Sequence, residues 1–425
     1  MFQSTFLCLA LAVFSAQSVV GHDHRSHRRF FRDGWAQPQN HSVNTLFKRQ
    51  TDGAQYPAVG SSEWSAKYPK TGATPDKGST PKEWLETLSA AIAAGKIPDI
   101  APSTMGPTGN PTYGDGKDPT SPQICSSTYE CRAGGVWDGP DGTFGISFDD
   151  GPLAPTTGLV NFLKENKETA THFMIGGNIL ANFKQFQEIV DYGGDCAVHT
   201  WSHQYMTTLS NEDVVAELGW TMQIIHDSTG GKVPRIWRPP YGDSDVRVRA
   251  IAKEVFGMDT VIWNHDTDDW GMTAGKNTMD NLLKDMNTWL AGPKSPGLIV
   301  LEHESTDDTV KAFTTSLSNI KSNGWQTKSL ALLLGDVYQN VNGNTVLPAQ
   351  VDDGPKSNSS SNSATSQSAD PTGSGSKPTS TTSSGTGSGT AAGAASTGNS
   401  ASASRTTSLF WPAVAVLGST LLVVS

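Results

Sequence analysis

Large apolar side chains and positive charge are both in short supply in this chain of 425 residues. Hydrophobic residues make up 36% of it, which is low for a compact protein, and they are concentrated between about residues 142 and 334. The formal net charge is −10, so a basic face for binding nucleic acid is not expected. The composition therefore predicts one globular core between polar flanks and argues against a nucleic-acid partner.

Cysteine is also rare, with 4 in the chain, and this limits the disulfide pattern. Cys8 lies in the first apolar segment, which leaves Cys125, Cys131 and Cys196 for the rest of the protein. An odd number permits at most one bridge within the chain. The bridge could join Cys125 to Cys131 or involve Cys196, and the sequence leaves this open.

The first apolar segment lacks the length of a membrane span. Residues 6–14 form a short apolar run followed by small residues, which is typical of a secretory signal even though the usual basic start is missing. We expect residues 1–18 to be a signal peptide and residues 19–49 to be a propeptide released at the dibasic pair Lys48-Arg49. Asn40 begins a glycosylation sequon that this processing would discard.

Residues 50–141 are rich in Gly, Pro, Ser and Thr, and they carry few signals of regular structure. One helix is expected over residues 81–95, where a glycine ends the pattern. We interpret this region as a mostly irregular amino-terminal extension that packs on the core and has no chemistry of its own.

From residue 143 onward, short apolar runs alternate with amphipathic segments. The predicted strands are residues 143–148, 171–175, 196–200, 260–264, 298–303 and 329–334. The predicted helices are residues 157–167, 181–192, 211–228, 244–256, 278–290 and 306–322. This alternation favours an α/β fold, with a parallel sheet that is closed or nearly closed and covered by helices.

Chemistry in such folds collects at the carboxyl ends of the strands. Polar side chains follow the predicted strands at these positions, namely Asp149, Asp150, His199, His203, Arg238, Asp266, Asp269, Glu302 and His303. Because parallel strands end at one rim, we expect these side chains to lie close together.

Asp149 and Asp150 are adjacent at the end of the first strand, so their side chains point in different directions. One carboxylate could hold a metal while the other takes a proton from its water; the alternative is a turn that only closes the strand. His199 and His203 are four residues apart, a spacing that faces both imidazoles the same way on a helical turn. With one carboxylate they predict a metal site that stays open to water and substrate.

Five short motifs carry a family resemblance. They are, in order, Ser147-Phe148-Asp149-Asp150-Gly151, His199-Thr200-Trp201-Ser202-His203, Arg238-Pro239-Pro240-Tyr241, Asp266-Thr267-Asp268-Asp269-Trp270 and Leu301-Glu302-His303. With them, residues 142–336 resemble the NodB-homology polysaccharide deacetylase domain of carbohydrate esterase family 4, and the layout of the chain is similar to that of fungal chitin deacetylases. The resemblance implies a distorted (β/α) barrel.

The resemblance also implies roles for the first three motifs. Asp150, His199 and His203 would bind one divalent metal, most often zinc, with cobalt as the alternative. Asp149 would be the general base that activates water, and Arg238 would hold and orient its carboxylate. Arg238 also has a structural interpretation, as a salt-bridge partner at the surface.

The remaining roles concern the oxyanion, the leaving amine and the sugar. The backbone N–H of Tyr241 would face the developing oxyanion, and His303 would be the general acid, kept charged and aimed by Asp266. Trp270 would form one wall of the sugar pocket, whereas Asp269 is expected to order the Trp270 loop rather than touch substrate. Tyr241 and Trp270 could instead be core aromatics.

The end of the chain changes composition again. Residues 354–407 are rich in Ser, Thr and Gly, which predicts a disordered, O-glycosylated stalk with an N-linked sequon at Asn358. Residues 400–425 have the small residues and apolar tail of a GPI-anchor signal, with attachment expected at Asn399 or Ser400; a tail-anchored span is the alternative. We therefore expect an extracellular protein, GPI-anchored to the outer leaflet or in the cell wall, with no protein partner implied.

These observations predict a metal-dependent enzyme that removes N-acetyl groups from chitin, giving chitosan and acetate during cell-wall modification. An O-acetyl xylan esterase of the same fold is the nearest enzymatic alternative. An inactive, wall-bound glycan-binding mannoprotein is the alternative from another class. Against it stand the intact set of motif residues and the lack of a cysteine-rich binding module.

Overall fold

The structure is a computed structural model that describes residues 34–38, 40–48 and 53–338. The predicted signal peptide, stalk and anchor signal, with Asn358, Asn399 and Ser400, lie outside the described residues, and their assignments stay predictions. Within the described ranges, no helix is long and apolar enough to cross a membrane.

An eight-stranded parallel sheet organises the described chain. A small antiparallel pair, β1 (Thr104–Met105) and β2 (Pro111–Thr112), stands apart from it. The main sheet consists of β3 (Thr143–Asp149), β4 (Thr171–Met174), β5 (Asp195–Val198), β6 (Ile236–Trp237), β7 (Asp259–Thr260), β8 (His265–Asp266), β9 (Leu298–Leu301) and β10 (Gln326–Ser329). Its strand order is β7-β6-β5-β4-β3-β9-β8, and β10 lies beside the first half of β3.

The sheet curls because its two end strands, β7 and β8, follow each other in one short stretch of chain. In residues 259–266, β7 pairs with β6, and β8 pairs with β9 on the far side of the sheet. Between them the Asn264 side chain accepts the Ile299 N–H and donates to the Gly297 carbonyl, so the chain changes partner there. The predicted single strand over residues 260–264 is therefore wrong, whereas the predicted distorted α/β barrel is confirmed.

Helices fill the connections and cover the sheet. They are α1 (Ser62–Ser65), α2 (Lys82–Ala93), α3 (Thr156–Asn166), α4 (Gly176–Ala181), α5 (Phe183–Tyr192), α6 (Asn211–Ser228), α7 (Val246–Phe256), α8 (Met279–Leu290), α9 (Asp307–Ser322) and α10 (Leu330–Tyr338). Several begin at a side-chain cap, as α6 does where the Ser210 hydroxyl accepts the Asp213 N–H. The helix predicted over residues 181–192 is divided at Asn182, where the backbone leaves the helical region.

The strand predicted over residues 329–334 is also wrong, because β10 ends at Ser329 and α10 begins at Leu330. The hydroxyl of Thr171 accepts the Ala331 N–H, so this N–H is not available for pairing with a neighbouring strand. The apolar run from Leu330 to Leu334 fits a buried strand and a buried helix equally well, so periodicity could not distinguish them.

Strand β3 lies at the centre and is buried along its whole length. Its alternate residues Phe144, Ile146 and Phe148 pack into one hydrophobic cluster with α3 and α9. Ser147 and Asp149 point the other way, as the period of a strand requires, and both meet Arg238 inside the barrel. The strand therefore carries a polar face to the centre of the barrel.

The segment predicted as the end of a propeptide packs into the core. Trp35, Val43 and Phe47 are at most 3% exposed and belong to the same hydrophobic cluster as the sheet. The backbone N–H of Gln37 donates to the Val233 carbonyl at 2.7 Å, next to a β-bridge from Ala36 to the same part of the chain. Cleavage after Arg49 would therefore leave residues 34–48 bound by these contacts, and the processing itself stays a prediction.

The open question of disulfide pairing is answered by a bond between Cys125 and Cys131. Cys196 is buried and free. The carbonyl of Cys125 accepts a hydrogen bond from Arg249 on α7, so the bridged loop is attached to the barrel. The amino-terminal extension is thus attached to the barrel near its carboxyl-terminal end.

Candidate metal centre and active site

Asp149 and Asp150 follow each other at the end of β3 but serve different partners. The backbone of Asp149 continues the sheet, since its N–H donates to the Glu302 carbonyl. Asp150 has a positive φ of 71°, which turns the chain out of the strand. As a result the Asp149 carboxylate faces Arg238, and the Asp150 carboxylate faces the two histidines of the second motif.

His199 and His203 come from an irregular loop after β5. Thr200 and His203 both have positive φ, at 67° and 61°, and the Thr200 hydroxyl accepts the His203 N–H. The expectation of a helical turn is therefore wrong, although the two imidazoles do face the same way, with ring centroids 5.0 Å apart. Backbone conformations this rare for non-glycine residues are concentrated at functional sites.

Asp150, His199 and His203 form a group suited to a metal ion. Asp150 Oδ1 lies 3.4 Å from His199 Nε2 and 3.2 Å from His203 Nε2. Two ligands of a tetrahedral zinc ion, each about 2.1 Å from it, lie about 3.4 Å apart. Asp150 Oδ1 is also buried without a hydrogen-bond partner among the described residues. The three residues therefore fit a small divalent cation.

The protonation of His199 agrees with this role. Its Nδ1 lies 2.7 Å from the Arg238 carbonyl, which can only accept, so Nδ1 carries the proton. Its Nε2 then has a lone pair directed toward Asp150. A second hydrogen bond that fixes the tautomer is typical of metal-binding histidines.

Arg238 lies fully buried inside the barrel and fixes Asp149. Its Nη1 donates to Asp149 Oδ1 at 2.7 Å, and its Nη2 donates to the Ser147 hydroxyl at 3.2 Å. The guanidinium also lies 4.2 Å from the centroid of the Phe173 ring. The second oxygen, Asp149 Oδ2, remains 3.8 Å from His199 Nε2 and so faces the metal ligands. The structure places Arg238 where the sequence predicts it, in contact with Asp149.

His303 lies beside Asp149, its partner in a β-bridge, and is held by Asp269. The Asp269 carboxylate accepts His303 Nδ1 at 2.6 Å through Oδ1 and the His303 backbone N–H at 2.9 Å through Oδ2. The assignment of Asp266 as the residue that aims His303 is therefore corrected. Asp266 Oδ1 instead accepts the backbone N–H of Asp268, within its own loop.

Electrostatics reinforce this correction. Burial alone would lower the pKa of His303, but the charge and hydrogen bond of Asp269, together with the charges of Asp150 and Asp149, outweigh it and raise the pKa to about 10. Burial raises the pKa of Asp266 to about 7, with the neighbouring Asp268 adding to the shift. Asp269 is thus the anion that keeps His303 protonated, whereas Asp266 is only about half ionised at neutral pH.

Aromatic side chains flank the site at two places. Tyr241 has a φ of 57° and is 37% exposed; its ring stacks on Tyr205 at 4.0 Å and meets the His203 ring at 4.6 Å. Trp270 follows Asp269 directly, and the Lys276 ammonium lies 5.7 Å from its ring centroid. Tyr241 therefore adjoins the metal ligands, and Trp270 directly follows in sequence the aspartate that holds His303.

Two buried carboxyl groups lie near the site: sequence reasoning missed Glu304 and placed Glu302 at the rim without giving it a role. Glu304 Oε1 lies 2.8 Å from His172 Nδ1, and its backbone N–H donates to the Asp149 carbonyl. A Cβ added at Gly151 would lie 2.2 Å from Glu304 Oε1, so this glycine permits the close approach. Burial raises the pKa of Glu302 well above its usual range. The position of Glu304 directly after His303 is the signal that could have indicated it.

Asn40 is exposed in the described part of the chain, so its sequon is accessible. Glycosylation there stays a prediction.

The chain is similar to several known proteins. The family model described as polysaccharide deacetylase matches residues 138–261, which include Asp149, Asp150, His199, His203 and Arg238. Chitin deacetylase 3 of Cryptococcus neoformans is 41% identical over 71% of this chain and 72% of its own length. Chitin deacetylase of Amylomyces rouxii is 37% identical over 49% of this chain and 52% of its own. A solved family 4 carbohydrate esterase from Streptomyces lividans is 28% identical, covers 44% of this chain and 91% of that one, and superposes with a TM-score of 0.38.

A curled parallel barrel with an Asp-His-His group, an arginine-held aspartate and an aspartate-held histidine at one rim defines a hydrolase of the polysaccharide deacetylase class. The chain belongs to the polysaccharide deacetylase family. It is accordingly an enzyme that hydrolyses N-acetyl groups.

Proposed function

We propose that this enzyme is a metal-dependent chitin deacetylase, which converts N-acetylglucosamine units to glucosamine, releases acetate and so produces chitosan in the cell wall. The single observation that carries the proposal is the position of Asp149 and His303, partners in a β-bridge, beside the Asp150-His199-His203 group. The substrate follows from the relatives named chitin deacetylase, one of them 41% identical over 71% of the chain.

Asp150, His199 and His203 would hold one divalent cation through a carboxylate oxygen and two imidazole nitrogens. This donor set suits zinc best and cobalt next. When bound, such a cation polarises the amide carbonyl and lowers the pKa of a water molecule toward about 7.

Asp149 removes the proton from the attacking water. Because Arg238 occupies Oδ1, the proton goes to Oδ2, the oxygen that faces the metal ligands. Arg238 also prevents the carboxylate from rotating, which keeps Oδ2 directed at the substrate carbonyl. A general base in such a position contributes typically about 10²- to 10⁴-fold to the rate.

His303 gives a proton to the departing amine. Its Nδ1 is bound to Asp269, so Nε2 is the nitrogen that delivers the proton. A pKa near 10 keeps the imidazole charged at neutral pH, before the amine begins to leave. Backbone N–H groups stabilise oxyanions in many acyl-transfer sites, and we assign that role to the N–H of Tyr241.

Tyr241 and Trp270 would bind the sugar from two sides. Aromatic rings present flat apolar faces that suit the apolar face of a pyranose ring. The Tyr241 ring contacts the metal ligand His203, and Trp270 follows the aspartate that holds His303, so we assign the two rings to the sugar pocket over the reacting groups.

We also propose that the enzyme is secreted and held at the outer leaflet or in the wall by a GPI anchor attached at Asn399 or Ser400. The support is the sequence pattern of residues 1–18 and 400–425. Release of the protein from intact cells by phosphatidylinositol-specific phospholipase C is the expected result. Retention in the membrane fraction after this treatment would favour a tail-anchored span.

The test of the activity is acetate release from chitin hexamer by the purified enzyme, with a chelator and then with added zinc. We expect release that the chelator stops and zinc restores, and none from acetylated xylan. Release from xylan alone would indicate the O-acetyl esterase. A folded, zinc-loaded protein that binds the hexamer without hydrolysing it would indicate the glycan-binding mannoprotein.

A further inference from the structure

Glu217 is a fully buried carboxylate that reaches the metal-binding loop from behind. It lies on α6 among apolar neighbours such as Val215 and Leu218, and none of its surface is exposed. Its carboxylate contacts residues 201 and 202, which lie between the two histidines in the sequence.

Three donors of the loop converge on this carboxylate. Glu217 Oε2 accepts the backbone N–H groups of Trp201 and Ser202, each at 2.8 Å. Glu217 Oε1 accepts the Ser202 hydroxyl at 2.5 Å. Hydrogen bonds to an ionised acceptor are short and strong, so this arrangement holds the middle of the loop firmly.

The conformation of the loop explains why it needs such an acceptor. Because Thr200 and His203 have positive φ, the chain between them is neither strand nor helix. The N–H groups of Trp201 and Ser202 therefore have no partner of the kind that a sheet or a helix would supply. Trp201 is fully buried, so water does not replace the missing acceptor. Without Glu217, the two backbone N–H groups between the histidines would have no partner in this conformation.

Apart from the Thr200 hydroxyl, which accepts the His203 N–H within the turn, the other contacts hold the loop at its sides. The carbonyls of Thr200 and Trp201 accept the N–H groups of Gly176 and Gly177, and the Trp201 indole donates to the Lys70 carbonyl. These contacts fix where the loop lies, whereas Glu217 fixes the turn that brings His203 back beside His199. The direction of His203 Nε2 toward Asp150 depends on that turn.

We infer that Glu217 is a positioning residue for the metal site, which sets the geometry of His199 and His203 without touching the metal or the substrate. The inference rests on the metal-dependent function proposed above and deepens it. Its loss should weaken metal binding, because the free protein must then order the loop as the metal binds. Proton transfer by Asp149 and His303 should change little once the metal is bound.

The test compares Glu217→Gln with the wild-type enzyme in a zinc titration without substrate. Glutamine keeps the size of the side chain but removes the charge and places an NH₂ group against one of the three donors. Loss of a group that orients metal ligands typically weakens metal affinity about 10- to 100-fold. We expect the zinc Kd of the purified full chain, measured by competition with a chromophoric chelator, to rise within that range, and kcat at saturating zinc to recover.

Glu212→Gln is the matched control, since Glu212 is an exposed glutamate on the same helix. Its zinc Kd should equal that of the wild type. If Glu217→Gln is folded and binds zinc as tightly as this control, the inference is wrong while the proposed function stands. If the wild-type enzyme itself binds no zinc, the proposed function fails, and the inference fails with it.

Ser202→Ala covers the case in which Glu217→Gln does not fold. It removes one of the three hydrogen bonds and leaves both backbone bonds in place. We expect a native circular dichroism spectrum and a zinc Kd above that of the wild type. An unchanged zinc Kd in a folded Ser202→Ala protein would then count against the inference.

Discussion

His303 and Asp269 are joined twice, by a hydrogen bond of 2.6 Å from the imidazole Nδ1 and by one of 2.9 Å from the His303 backbone N–H. The two bonds fix both the ring and the chain that carries it. Asp269 therefore sets the direction of His303 Nε2 and stabilises the charged form of the ring.

The first prediction concerns pH. Asp269→Asn removes the charge that raises the pKa of His303, so that pKa should fall. The proton donor would then be lost at a lower pH than in the wild type. The alkaline limb of the kcat/KM profile should shift to lower pH, with activity near pH 6 better preserved than activity near pH 9.

Asp266→Asn is the comparison for this experiment, because Asp266 makes no hydrogen bond to His303 among the described contacts. Its alkaline limb should stay close to that of the wild type. A larger shift for Asp266→Asn than for Asp269→Asn would reverse the assignment made here.

The second prediction separates metal binding from proton transfer. Asp149→Asn should bind zinc normally but lose about 10²- to 10⁴-fold in turnover, because the general base is gone. His199→Ala should lose the metal itself, because one of the ligands is removed. Zinc content and acetate release measured on the same samples check both, and a mild effect of Asp149→Asn on turnover would contradict its role.

The third prediction concerns the buried pair of Arg238 and Asp149. Arg238→Met leaves a buried carboxylate without its partner, which costs about 3–5 kcal/mol of unfolding free energy. Arg132→Met is a useful control, since Arg132 makes an equally short contact with Asp138 but is half exposed. Its loss should cost about 1 kcal/mol or less. Urea unfolding of both variants checks the difference, and equal costs would contradict it.

The fourth prediction concerns the segment before the dibasic pair. Phe47 is 1% exposed and its ring centroid lies 5.7 Å from that of Trp84. Phe47→Ala should therefore lower the unfolding free energy by about 3–5 kcal/mol. Thr45→Ala, at an exposed site in the same turn, should change it by less than about 0.5 kcal/mol.

A protein that begins at Gln50 should be destabilised like Phe47→Ala or more, since it also lacks Trp35 and Val43. Thermal unfolding of this protein beside the longer one provides the measurement. If both unfold at the same temperature, residues 34–48 contribute nothing to the fold.

The fifth prediction concerns thiols. In the protein without residues 1–18, Cys125 and Cys131 are bonded and Cys196 is buried. Burial also raises the pKa of the Cys196 thiol, which suppresses the reactive thiolate. A thiol reagent should find no reactive group in the native protein and one after unfolding in denaturant. Two or more thiols after unfolding without reductant would contradict the bridge.

The sequence predicts the barrel and most of the site because the relevant signals are local. Polar residues directly after apolar runs identified Asp149, His199 and His303, and the exact span of α6 follows from Ser210 before it and the periodic apolar residues within it. The parallel sheet then requires these strand ends to meet at one rim.

Other features depend on contacts between distant parts of the chain. The motif around residues 266–269 offers several aspartates, and only the folded loop decides that Asp269 rather than Asp266 meets His303. The conformation between His199 and His203 depends on Glu217, which a spacing rule does not consider. Leu330 to Leu334 lie in a helix, and near its start the hydroxyl of the distant residue Thr171 accepts the N–H of Ala331.

The place of residues 34–48 has a consequence for the order of folding. This segment is made early, yet the Gln37 side chain donates to the carbonyl of Gly257, 220 residues further along the chain. These contacts with residues 233 and 257 form only after the strands from β3 to β6 have been synthesised, and contacts over such a separation form slowly. Phe47 can meet Trp84 early, whereas residues 36 and 37 wait for their partners through much of synthesis, so this first-made segment is fastened to the barrel late.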